Sequence, residues 1–505
     1  MSADEITPPT ELAAQHTCVP LTRRNFLKGT VALSASAAVL APLARTTQIR
    51  VGNAHAPSRL GPKPSSLSML YAGNQSDGAA IAAVLPMLKH NLGIELSVTN
   101  LPYNALQEKT FAELATSQPG YQIFVVDTPW TPTLTHVLEP LSSYLTSPEL
   151  NKGLNIDVTD FIPKVFYDTT VYDVAHPSKH FPSPTAPVDP HNIVRHGFEI
   201  LGLPIQANAL TMAYRADLFE SGTEQTNFKK KYGRNLAVPE TWSEFVQVAE
   251  FFTRPQQNLY GTTLMAGVGD WDIDDFKTLV ACWGGNGHLI TDNFGVVVAT
   301  PPALAALQFY VDLIRKYKVT PPGTTSASWD TVGSLFASGR TVMTMNYAPQ
   351  SLDSNVHGSI ANAVVPKQVT YGPHFGTWQL SIPSALDANT KAWAYRVIAW
   401  LTSGAVQTAM LSEEIHPTRN SVFEAARRSA TISKKFGNFY PVLQQSLATG
   451  VGRARVKNYS EVTQPIAVGV NDAASGNGAV KTDMEKTARS VVKVLDSLGY
   501  HGTVV

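Results

Sequence analysis

Leu201-Gly202-Leu203-Pro204-Ile205-Gln206-Ala207-Asn208-Ala209-Leu210-Thr211-Met212-Ala213-Tyr214-Arg215 is almost free of charge and carries two isolated amides. An apolar entry gives way to a β-type pattern, which ends at Ala216-Asp217-Leu218-Phe219, the start of a helix. The chain on either side reads as a separate α/β unit. The expectation is that this stretch carries the chain from one lobe to the other, with Asn208 at the seam.

Working back from it, Leu67 to Ala72 reads as a strand that stops at the turn-rich run Gly73-Asn74-Gln75-Ser76-Asp77-Gly78. A helix follows with Ile81, Val84, Leu85 and Leu88 on one face. Ile94–Val98 alternates as a strand, and Tyr103–Leu114 is the next helix. Ile123-Phe124-Val125-Val126 is a continuous apolar run, as a central strand covered on both faces requires. This β-α-β-α-β order predicts a doubly wound sheet. It ends at Asp127-Thr128-Pro129-Trp130, and ligands of open parallel sheets sit outside such strand ends.

Residues 175–196 hold His176, His180, His191 and His196 among prolines, in no spacing that repeats a metal-ligand frame, and read as a solvated insertion. Beyond the crossover, Thr241 to Glu244 forms a capping box for a helix with Trp242, Phe245, Ala249 and Phe252 inward. Tyr260–Met265, Thr341–Met345 and Gly376–Pro383 read as strands. Helices are expected from Pro302 and over Lys391–Leu401, and they dominate from Val422 onward.

The densest acidic cluster is Gly269-Asp270-Trp271-Asp272-Ile273-Asp274-Asp275-Phe276. A calcium loop needs glycine at its sixth position and glutamate at its twelfth. Asp275 and Cys282 or Ala281 stand there instead. A glycosidase carboxylate pair is the rival chemistry, and plain first-turn acids on a helix from about Asp272 are the bland one. Trp271 fits a stacking platform better than either. Sugars pack C–H faces on aromatic rings and need amides and carboxylates for their hydroxyls. Candidate parts recur at strand ends: Asp127 and Trp130, Asn208, Trp271 and Asp272, Tyr347, and Trp378. No lipase-type serine elbow, zinc-protease helix, Walker loop or CxxC is present, and nothing would hold a flavin, haem or iron–sulfur cluster.

Thr22-Arg23-Arg24-Asn25-Phe26-Leu27-Lys28, a short small-residue apolar segment and Ala54-His55-Ala56 read as a twin-arginine export signal over residues 1–56. Residues 57–66 read as an extended leader. The charge is balanced, with 39 basic and 39 acidic residues, so nothing invites nucleic acid or an anionic membrane. Of the two cysteines Cys18 lies in the signal, leaving Cys282 without a disulfide partner and no lipid-anchor cysteine at the cleavage site. A freely soluble periplasmic protein is expected.

Taken in order, Ile123–Trp130, Gly202–Phe219, Pro239-Glu240-Thr241-Trp242-Ser243-Glu244-Phe245, Trp283-Gly284-Gly285-Asn286-Gly287, Phe336–Met345, Gly376–Pro383 and His416-Pro417-Thr418-Arg419 resemble a bacterial extracellular solute-binding protein of the maltose-binding type. The resemblance runs from about Leu67 to about Phe423. It implies two α/β lobes joined by crossover strands, a sugar or polyol held in the cleft, hinge closure, no catalysis and no cofactor. The partners it implies are an inner-membrane ABC permease and ATPase, with the receptor itself a monomer. Lobe one is expected to comprise 67–207 plus about 372–412, and lobe two 208–371 plus about 413–505. The resemblance places Asp127, Trp130 and Trp378 on the first lobe's rim, Asn208 at the crossover, and Trp271, Asp272 and Tyr347 on the second lobe. Asn74 completes the ligand set at a first-strand exit where relatives often carry an aromatic. The alternatives are a periplasmic glycan-active hydrolase using acids 270–275, or a receptor for a non-sugar solute. Clustered carboxylates would favour an amine, and a basic cleft a phosphonate.

Overall fold

The computed structural model describes residues 56–73, 77–347 and 357–505. The expected export segment lies outside them, apart from Ala56. Eight strands build the two principal sheets: β1 (Ser66–Ala72), β2 (Glu95–Leu101), β3 (Ile123–Asp127), β4 (Leu203–Ala209), β5 (Thr211–Arg215), β6 (Met343–Asn346), β7 (Ile360–Ala363) and β8 (Phe375–Ser381). The first sheet has the order β2-β1-β3-β8-β4. Its β1 runs parallel to β2 and β3, while β8 is antiparallel to β3 and β4. Every residue of β3 is buried, as its unbroken apolar run requires. Ile81, Val84 and Leu88 of the helix Asp77–Leu92 are buried against this sheet's core.

The crossover falls at one residue. β4 ends at Ala209 in the first sheet and β5 begins at Thr211 in the second, leaving Leu210 between them. Two later passes lie beside it. Leu210 N–H donates to the His374 carbonyl at 2.9 Å, Val451 N–H to Pro373 at 2.8 Å, and Phe375 N–H to Val451 at 3.2 Å. The chain therefore crosses three times, and three hydrogen-bonded strands of backbone form the hinge.

The second sheet, β7-β5-β6, is antiparallel throughout. Tyr260–Met265, expected as a strand, instead makes one parallel bridge, Tyr260 to Thr341. Its Gly261 lies so close to the helix Trp242–Phe252 that an added Cβ would stand 2.1 Å from the Ala249 carbonyl oxygen. The capping box on that helix is formed as expected.

Two hydrophobic cores follow the sheets. The expected lobe boundary near residue 412 needs correction. Val422, Phe423, Phe436, Phe439, Tyr440, Leu443 and Leu447 pack in the first core. The helices Tyr459–Ser475 and Val480–Ser497 alone belong with the second core. The physical reason is the third crossing at residues 450–456, which a periodicity reading of consecutive helices passes over.

The leader is docked: Trp393 Nε1–H donates to the Gly61 carbonyl and Asn389 Nδ2–H to Pro62. The His/Pro-rich segment is also partly packed. Phe181 stacks on Tyr167 at 4.7 Å between ring centroids, and Asp189 caps the short helix Pro190–Arg195. Its histidines join no group of three or more His, Cys, Asp or Glu suited to a metal among the described residues. No helix among these residues is long and apolar enough to cross a membrane.

Candidate functional site

A cavity of about 110 Å³ lies at the hinge, walled by both lobes. Lobe one contributes Tyr103, Asp127 from the end of β3, Gln206 and Asn208 from β4, and Gly376 and Trp378 from β8. Gln206 and Asn208, two apart on one strand face, are hydrogen-bonded to each other at 3.1 Å. Asn208 pairs with Gly376 and Trp378 with Asp127, so register sets these four side by side.

Lobe two contributes Asp270, Trp271 and Asp274 from the helix Asp270–Cys282, with Trp329 and Tyr347. The Trp271 indole lies over Gly269, where a Cβ would meet its ring carbons at 2.5 Å. His374, His416 and Arg453 complete the wall from the crossings and their surroundings.

Arg453 ties the lobes together. Its Nη2–H donates to Asp274 Oδ2 at 2.7 Å, and its Nη1 stands 3.8 Å from Asp127 Oδ1. Asp127 also accepts from Tyr103 Oη–H and Thr128 N–H, both at 2.7 Å. Asp274 Oδ2 accepts from Tyr347 Oη–H at 2.5 Å. Gly376 makes this possible, since a Cβ there would meet Arg453 Nη1 at 3.0 Å and His374 Nε2 at 3.3 Å.

Behind His374, Lys277 Nζ lies 2.9 Å from the ring Nδ1 and donates to the carbonyls of Val451 and Gly452 at 2.7 and 2.5 Å. Burial pushes its ammonium down to about 7. The other ring nitrogen, His374 Nε2, is 3.3 Å from Asp274 Oδ1, without the alignment of a hydrogen bond. Burial holds His374 well below the usual imidazole range and His416 at about 4, so both rings are neutral at pH 7.

Burial pushes the Asp270 carboxyl up to about 6, against the neighbouring Arg453 cation. Desolvation likewise raises Asp127, and Arg453 opposes it.

Of the expected site residues, Asp127, Asn208, Trp271, Tyr347 and Trp378 come together around this cavity. Two do not line it. Trp130 is 2% exposed and packs behind Tyr103, ring centroids 5.2 Å apart. Asp272 is fully buried in lobe two, where desolvation raises its carboxyl well above the usual range. Helix phase explains the difference: Asp270, Asp274 and Lys277 share one face at i, i+4 and i+7, while Asp272 turns away. Asn74 lies outside the described residues. The i, i+4 spacing and the Gln206–Asn208 alternation were legible signals; Arg453 and His374, in the crossings, gave none.

Two α/β lobes, three crossings and a polar–aromatic cavity between them define a periplasmic-binding-protein-like fold. Residues 72–408 match the family described as bacterial extracellular solute-binding protein, and the chain belongs to it. Among solved structures it is similar to maltose-bound MalE3 of T. maritima, with TM-score 0.68, 22% identity, and 85% of this chain and 100% of that one covered. An ABC transporter solute-binding protein of Agrobacterium radiobacter K84 in complex with ribitol matches with TM-score 0.68, 20% identity and 86% and 100% coverage. One of Agrobacterium vitis S4 with bound D-mannitol matches with TM-score 0.65, 19% identity and 86% and 99% coverage.

Proposed function

We propose that this protein is the periplasmic receptor of an ABC importer, that it binds a carbohydrate or polyol at the hinge, and that it is not itself catalytic. The observation that carries the reading is the cavity wall. Tyr103, Trp271, Trp329, Tyr347 and Trp378 offer flat apolar faces, and Gln206, Asn208 and the carboxylates offer partners for hydroxyls. Asn74, two residues beyond β1 in the sequence, completes the proposed ligand set. Export by the twin-arginine route, a soluble monomer without a lipid anchor, and delivery to a membrane permease and ATPase belong to the same reading. The hydrolase reading needs a pair of free carboxylates and the cluster offers one: Asp272 and Asp275 are buried in lobe two and Asp274 is tied to Arg453 and Tyr347, which leaves Asp270 alone.

A thermal-shift screen of sugars, alditols and amines tests this. A ligand at 100 times its Kd stabilises by ~2.7 kcal/mol, and Trp271→Ala is expected to abolish the shift. A screen in which no sugar or polyol moves the melt overturns the reading.

A further inference from the structure

The charges around the cavity do not cancel. Asp127, Asp270 and Asp274 face it, and Arg453 is the one guanidinium in its wall. Arg453 is already engaged by Asp274 at 2.7 Å and faces Asp127 at 3.8 Å. Lys277 stands behind His374 with its Nζ turned to His374 and two backbone carbonyls. Even with Lys277 charged, the carboxylates exceed the cations by one.

The surplus is localised. Asp270 has neither a hydrogen bond nor an ion pair among the described residues, although it lines the cavity beside the Trp271 ring. Asp274 Oδ1, on a side chain 2% exposed, also lacks a hydrogen-bond partner, as does Nε2 of the fully buried His374. A carboxylate in a partly dry, aromatic-walled cavity calls for a cation. Ring faces attract one as well, through their quadrupoles.

We propose that the ligand carries a protonated amine on its polyhydroxylated frame, an amino sugar or amino alditol, with the ammonium seated at Asp270 between Asp274 and the Trp271 ring. The polyhydroxylated frame rests on the function proposed above; the ammonium rests on the charge count. The same count disfavours anionic sugars, because Arg453 Nη2 is already bonded to Asp274 and three carboxylates face an arriving anion. The charged and titratable groups around Asp270 are Asp127, Asp274, Arg453, Tyr103 and Tyr459. Among these Arg453 alone is cationic, and an arriving ammonium adds the missing positive charge.

The test is titration calorimetry on the full mature protein with matched pairs: D-glucosamine, D-galactosamine and 1-amino-1-deoxy-D-sorbitol against D-glucose, D-galactose and D-sorbitol. An amine is expected to bind roughly 10- to 100-fold tighter than its neutral isostere, as a charge-assisted bond in a dry site allows. N-acetylation, which removes the charge, is expected to erase that advantage without any variant being made. Asp270→Asn, or Asp270→Ser should the first fail to fold, is expected to collapse the amine-to-neutral ratio towards one. Neutral sugars or alditols binding as tightly as the amines overturn the inference and leave the sugar receptor standing. Retention of the ratio in both variants overturns the placement at Asp270. Binding of spermidine or choline with no hydroxylated compound of either kind, or no binding by any probe, overturns the sugar receptor and the amino sugar together.

Discussion

Replacing Asp270 with asparagine is expected to make the ligand-free protein more stable at neutral pH, because the native carboxylate is held there at a cost. Burial raises its pKa from 3.8 to about 6. Between those values the folded protein still binds the proton that the unfolded chain has released. Stability therefore falls as pH rises through the window, and the full penalty persists above it. A shift of about two units at 1.36 kcal/mol each gives ~3 kcal/mol, an upper end because water in the cavity screens the charge. Asparagine has nearly the same shape and no charge, so it escapes this term. Opposing it, the first-turn acid loses its interaction with the helix dipole, worth ~0.3–1 kcal/mol, which is the smaller effect. For a two-lobed chain of this length, ~2 cal/mol/K per residue of unfolding entropy translates each kcal/mol into about 1 °C. Scanning calorimetry should thus find Asp270→Asn melting up to ~3 °C above the wild type at pH 7.5 and level with it at pH 3.5. Equal differences at both pH values, or a less stable variant at pH 7.5, would refute the reasoning.

Other substitutions separate the roles of neighbouring groups. Arg453→Met strands Asp127 and Asp274 without their cation, so a loss of ~3–5 kcal/mol is expected at pH 7, shrinking in acid as the carboxyls protonate; urea melts across pH read it. Gly376→Ala drives a Cβ against Arg453 and His374, with ~1–3 kcal/mol lost and ligand binding weakened, by melt and calorimetry. Trp130→Ala empties the packing behind Tyr103 and should lower stability by ~3–5 kcal/mol. Trp271→Ala, whose ring lines the cavity and packs only partly against the second core, should cost less stability than Trp130→Ala while removing ligand-induced shifts.

Much of the fold was legible because it is written in local periodicity. The apolar run Ile123–Val126 could only be a covered strand, and the low-charge run through Leu210 could only lie inside the molecule. The helix Tyr103–Leu114 and the capping box at Thr241 are local signals of the same kind. What periodicity does not carry is where the chain changes lobes a second and third time. Residues 364–374 and 450–456 make few regular bonds of their own, so they look like loops. The helices between Asn420 and Thr449 have the same amphipathic pattern whichever core they face.

The same limit governed the site. Strand-end reasoning reached Asp127, Asn208 and Trp378 because antiparallel register sets the carboxyl ends of β3 and β4 beside the first half of β8. It overreached at Trp130, three residues past a strand end, where the chain has already turned back beneath Tyr103. On the second lobe the acidic cluster held the right residues, but choosing among four aspartates needed the phase of the helix. Once that helix begins at Asp270, its own geometry decides. Asp270 and Asp274 stand on the row that continues to Lys277 and the hinge, and Asp272 and Asp275 face the core. The first two are then the only acids of the cluster able to meet a ligand. Because Arg453 neutralises one of them from the third crossing, Asp270 is left as the uncompensated charge. The feature that most constrains what this cavity can hold therefore arises from pairing one helix face with a distant crossing, which neither segment encodes alone.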